Sequence, residues 1–260
     1  MTKQHIFGKR LLSLLPKKET TYLFSHRTPT GDQVKRTPGH LWGKSMRRVC
    51  RVCNNGWMRD LEERTFPLLK GLIVGDNNLI TADRHADLAA RLSHMIMVAS
   101  LARAEIDPVS DDERATFKAN QLPPDHWEIW LCRADNPFEI GQFYYSDTFR
   151  TLLQTAEGTQ ETRGHATTFI LGRLCVFVIG RKPSNLTQIR GLTMARIWPE
   201  TGIGTDLGLT NDWVVNIIKA TGNYGEIFER NVGEGSPLKI ARGINALWTK
   251  GGLQYGMPIR

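Results

Sequence analysis

Cysteine is scarce in this chain: four residues in 260, of which only Cys50 and Cys53 lie close together. That scarcity excludes a disulfide framework and predicts a reducing compartment. Cys132 and Cys175 fall in apolar, strand-like runs and read as inert core thiols. Long hydrophobic runs are missing as well. Residues 11–15 are too short a run, and too closely flanked by charge, for a signal peptide. The apolar stretch at 95–102 falls far below the about 20 residues that cross a bilayer. These absences predict a soluble, cytoplasmic protein with no membrane partner. The chain also has no G-x-S-x-G, no H-E-x-x-H and no phosphate loop ending in Lys-Ser/Thr, which argues against the hydrolase and nucleotide chemistries those motifs serve.

Acidic residues are what the first 70 positions lack. They hold 15 of the 34 Lys and Arg but only 5 of the 26 Asp and Glu, so the segment nets +10 and the remainder −2. Charge concentrated in this way attracts polyanions, nucleic acid first among them, although a solvated basic face is the simpler reading. Arg47, Arg48, Arg51, Lys44 and Arg59 surround the cysteine pair and are the candidate phosphate contacts.

The pattern predicts two parts in an α+β chain: a basic module over residues 1–75 and a larger helix-plus-antiparallel-sheet domain over 76–260. In the first, a short strand near residues 4–7 precedes a polar loop containing Pro29, Gly31, Pro38 and Gly39. A helix then starts near Trp57, and Pro67 should kink or end it. Asp60, Glu62 and Glu63 lie in its first turns, where the helix dipole favours carboxylates. In the second part, Thr81 should cap a buried helix reaching about Arg103, and residues 111–120 form another helix. Residues 167–171 and 174–179 flank Gly172-Arg173 as a hairpin. A further helix is expected over 210–221. The last 39 residues carry 8 of the 24 glycines and read as loops ordered by a partner.

The most specific motif runs Val49-Cys50-Arg51-Val52-Cys53-Asn54-Asn55-Gly56-Trp57-Met58, some 45 residues after Thr2-Lys3-Gln4-His5-Ile6. Together these resemble a family of bacterial and phage proteins related to HNH endonucleases. The resemblance implies a zinc-knuckle ββα module and a metal-dependent DNA endonuclease, a hydrolase of phosphodiester bonds. It makes His5 the general base and Asn54 a ligand of a catalytic Mg²⁺ or Mn²⁺. It also makes Cys50 and Cys53 ligands of a structural Zn²⁺, with His26 and His40 as the available completing pair. Gln4 stands where the family carries an acid, and Ser45 where it carries an Asn. The alternatives are a non-catalytic nucleic-acid-binding protein of the same fold, or a structural subunit meeting a protein partner through residues 76–260.

Overall fold

A computed structural model describes residues 2–14, 21–28, 31–38, 45–77, 79–101, 109–133, 143–155, 158–180, 194–207 and 253–255. The helix expected over 210–221 lies outside them. So do His40 and Lys44, and the side chain of His26.

Two antiparallel strands open the chain's described part. β1 (Thr2–His5) pairs with β4 (Ser45–Val49), with Thr2 opposite Val49 and His5 opposite Ser45. Between them, β2 (Thr21–Thr28) and β3 (Gly31–Pro38) form a hairpin where the sequence predicts a polar loop. The segment's sequence lacks the apolar alternation that marks a half-buried strand, and the pairing of the two strands closes with Thr28 opposite Gly31.

After β4 come two helices, α1 (Arg51–Asn55) and α2 (Trp57–Val74), joined at Gly56. Gly56 brings the backbones close, since a Cβ there would lie 2.8 Å from the Val52 carbonyl oxygen. Pro67 does not end α2. It lies on the exposed side of the helix, where the carbonyl it leaves unpaired can meet water. The helix stops at Gly75, whose φ of 90° is the left-handed terminus glycine adopts easily.

α3 (His85–Ser100) is buried almost throughout and follows a single 3-10 turn at Ala82–Arg84; Thr81 makes no side-chain cap. α4 (Asp111–Asn120) sits where the sequence places it, fixed by a reciprocal capping box between Ser110 and Glu113.

A two-residue strand, β5 (Leu79–Ile80), pairs with β11 (Thr205–Asp206). Among the described residues the main sheet has eight antiparallel strands: β6 (Glu128–Arg133), β7 (Phe143–Thr155), β8 (Gly158–Leu171), β9 (Leu174–Gly180), β10 (Ala195–Trp198) and β12 (Leu253–Tyr255) join β2 and β3. Their order is β10-β6-β9-β8-β7-β12-β2-β3. All seven residues of β9 are buried, so both faces of the sheet centre are covered. One face, with Ile129, Leu131, Val176 and Val178, joins the main core with α2 and α3. That core also takes Ile6, Phe7 and Leu11, so its side chains come from both sides of residue 75.

The fold is mixed α+β, and the zinc-stapled ββα module is corrected. Among the described residues no group of three or more His, Cys, Asp or Glu side chains could hold a metal ion. A structural zinc needs four donors. Here Cys50 acts as a helix cap instead, since its Sγ accepts the Cys53 backbone N–H at 3.0 Å at the start of α1.

Candidate functional site

A cavity of about 570 Å³ opens between β1, the 3-10 turn Lys9–Ser13, the end of α1 and the first turns of α2. Its volume is in the range of small-molecule sites. β1 brings Lys3 and His5 to it, the turn brings Lys9 and Arg10, and successive turns of α2 bring Arg59, Glu62 and Glu63. Positions 59, 62 and 63 share a helix face by their spacing of three and four. The lining therefore offers cations and carboxylates together.

Beneath the cavity lies Arg91 of α3, 1% exposed. Its Nη1 donates to His94 Nδ1 at 2.8 Å and its Nη2 to the Phe7 carbonyl at 3.2 Å. The same Nη2 is 3.6 Å from Glu62 Oε2. Burial, with the Arg91 charge adding to it, pushes the His94 pKa down to about 3, so the ring is neutral and accepts at Nδ1. Burial lowers the Arg91 pKa, while Glu62 opposes that shift. Gly8 packs over the pair with φ of 84°, and a Cβ there would sit 2.7 Å from both Arg91 Nη2 and Glu62 Oε1. Arg91 thus holds one cavity carboxylate in place from below.

Of the residues singled out in the sequence, Gln4, His5, Asn54 and Arg59 line this cavity. The buried Nδ1 of His5 makes no hydrogen bond among the described residues. Asn54 Nδ2 donates to Thr2 Oγ1 at 3.2 Å and so ties α1 to β1. Gln4 is buried and donates to the His5 carbonyl at 3.0 Å. Cys50, Cys53, Arg47, Arg48 and Arg51 do not line the cavity; Arg47 and Arg48 lie exposed on β4, and Arg51 lies exposed on α1. The Cys50 pKa is lowered by the hydrogen bonds with Cys53, and that of Cys53 is raised by its side-chain hydrogen bond with Cys50 and by burial. Sequence reasoning missed Arg91. Its signal was an arginine inside a helix apolar nearly all round, which demands a buried partner.

No family model matches the chain. No solved structure matches it. Over 61 residues, 24% of its length, it is 75% identical to the general L-amino acid-binding periplasmic protein AapJ of Rhizobium johnstonii. Over the same length it is 62% identical to the putative amino-acid ABC transporter-binding protein YhdW of Escherichia coli strain K12. It is 49% identical to the glutamate/glutamine/aspartate/asparagine-binding protein BztA of Rhodobacter capsulatus. The chain covers 18% of the length of each of these relatives.

These matches overturn the resemblance to HNH endonucleases, and with it the nuclease activity and DNA as partner: the relatives are binding proteins for amino acids. The expected Zn²⁺ and Mg²⁺ or Mn²⁺ are corrected by the lack of a metal-binding cluster among the described residues. The cytoplasmic expectation is corrected by the match to a periplasmic protein. Among the described residues no helix is long and apolar enough to cross a membrane.

Proposed function

We propose that the chain binds a small amino-acid-type solute in the periplasm, with the cavity beside α2 as its site. The observation that carries this reading is the 61-residue segment shared at 49–75% identity with three amino-acid-binding proteins. The cavity supports it chemically. A free amino acid presents a carboxylate and an ammonium a few ångströms apart. Arg59 or Arg10 can take the first and Glu62 the second, through charge-assisted hydrogen bonds.

Calorimetric titration with a panel of L-amino acids tests the reading. At least one should bind with a Kd on the order of micromolar, equivalent to about 8 kcal/mol. Its decarboxylated and deaminated analogues should bind at least about tenfold more weakly, as loss of a charge-assisted bond requires. A panel in which no amino acid binds below millimolar concentration overturns the proposal. Binding that survives in Glu62→Gln and Arg59→Ala places the site elsewhere in the chain.

A further inference from the structure

Cys132 and Cys175 come from strands β6 and β9 and are direct partners across the antiparallel ladder. Both are 0% exposed and free. They belong to the sheet face that does not contribute to the main core, in register with Phe177 and Ile179 on alternate positions of β9. Directly opposed residues of an antiparallel pair have Cα atoms about 4.5 or 5.5 Å apart, depending on which kind of site they occupy. Both separations fall inside the about 4.4–6.8 Å that a disulfide spans. Opposed side chains also project from the same face, so the two sulfurs meet without backbone movement. The thiols are already in hydrogen-bonding contact, which, with burial, raises the Cys132 pKa well above its ordinary value.

We infer that Cys132 and Cys175 form a cross-strand disulfide when the chain folds in an oxidising compartment. The periplasmic part of the proposed function supplies that compartment; the geometry stands without it. The step is thiol–disulfide exchange with a small-molecule or protein disulfide. One cysteine thiolate attacks a sulfur of that disulfide and expels a thiolate. The second cysteine then attacks the mixed disulfide and expels the other. Two cysteine thiols are oxidised, one external disulfide is reduced to two thiols, and the two protons pass to those thiols. Because both sulfurs are sealed in the folded sheet, exchange must precede burial. The bond therefore records where the chain folded. A chain folded with reduced thiols is protected from later oxidation.

The full chain, refolded from denaturant in a glutathione redox buffer or in excess reductant, tests this. Free thiols are alkylated in denaturant and the monomer is mapped by digestion and mass spectrometry. A linked peptide pair containing Cys132 and Cys175 is expected after oxidative refolding only, two hydrogens lighter than the sum of its reduced parts. In Cys50→Ser/Cys53→Ser the alkylatable thiols should fall from two to none. Monomer in which Cys132 and Cys175 are both alkylated after oxidative refolding overturns the inference, as does linkage of either to Cys50 or Cys53. If the double variant does not refold, the wild-type peptide map decides. Amino-acid titration of the same samples separates the two proposals. A linked chain that binds no solute sinks the proposed function alone, and an unlinked chain that binds solute sinks the disulfide alone.

Discussion

Two buried charges are held in opposite ways at two places in the molecule. Glu113, at the start of α4, is satisfied on every side. Its Oε2 accepts from the Ser110 backbone N–H at 2.7 Å and the Ser110 hydroxyl at 2.8 Å. Its Oε1 faces His126 Nε2 at 2.8 Å and accepts from Trp127 Nε1 at 3.0 Å. Burial alone would raise its pKa; the bonds from His126, Ser110 and Trp127 overcome that and hold it well below the carboxylate range. Arg91, under the cavity, has a neutral histidine, one carbonyl and a carboxylate at 3.6 Å. The first charge staples a helix start to the sheet. The second keeps an attraction that its neutral partners do not satisfy, and it directs that attraction at a residue lining a cavity.

Removing Glu113 itself, and removing the carboxylate that Arg91 attracts, breaks the comparison most sharply. Glu113→Ala strips the acceptor from a buried indole N–H and from the capping box, so stability should fall by about 3–5 kcal/mol in urea unfolding. Glu62→Gln should cost about 1 kcal/mol or less, because Glu62 is partly solvated, while reducing solute affinity at least about tenfold. Equal stability losses in the two variants would show that Arg91 depends on Glu62 as fully as α4 depends on Glu113.

The next largest effect is in acid. The His94 pKa is about 3 when folded against an ordinary 6.5, so the unfolded chain binds more protons between those values. The associated stability is present above pH 6.5 and lost progressively as pH falls towards 3, by an amount on the order of a few kcal/mol. Glu113 adds to the loss only below its ordinary value of 4.5. His94→Gln keeps an acceptor for Arg91 without the titration, and its stability should be flatter than wild type from about pH 6.5 to 5. Superimposable pH profiles would remove His94 from the account.

Gly8→Ala forces a side chain between Arg91 and Glu62 at a positive φ. It should cost about 1–3 kcal/mol and weaken solute binding through the displaced carboxylate. The smallest change belongs to Arg10→Ala. Its ion pair with Glu63 is 3.7 Å long and about half exposed on both sides, so thermal unfolding should shift by no more than about 0.5 kcal/mol. A larger loss would mean that the charges around the cavity act as a network.

What the sequence made legible follows from how local each signal is. The helix at 111–120 and the turn at Gly172-Arg173 depend on neighbours in the chain, and the structure has both. The pairing of β2 with β12 depends on a partner far away in the chain, which no local pattern records, and the apolar helix around Arg91 signalled its burial without naming its partners Phe7 and Glu62. The cysteine motif misled for the opposite reason, because each of its letters serves the local structure. Cys50 caps α1, Asn54 ties the helix to Thr2, Gly56 lets two helices meet, and Trp57 packs edge-on against His94 and Phe117. Such spacing resembles a metal knuckle because both need a tight turn into a helix. Of the cavity, Gln4, His5, Asn54 and Arg59 stood out in the sequence, whereas Glu62 and Glu63 were absorbed by the helix-dipole explanation.

Helix α2 is anchored at both ends. Arg59, Glu62 and Glu63 face the cavity, while at the far end the Ile73 carbonyl accepts the Arg173 backbone N–H of the β8–β9 turn at 2.9 Å. Gly172 in that turn has no room for a Cβ, which would lie 2.5 Å from the same carbonyl oxygen. Its 18 residues make α2 a ruler about 27 Å long. Inserting or deleting one residue would shift its length by only about 1.5 Å but swing the cavity face by about 100° around the axis. The register between cavity and sheet is thus written in the residue count of a single helix, and substitutions along its exposed side leave that count untouched.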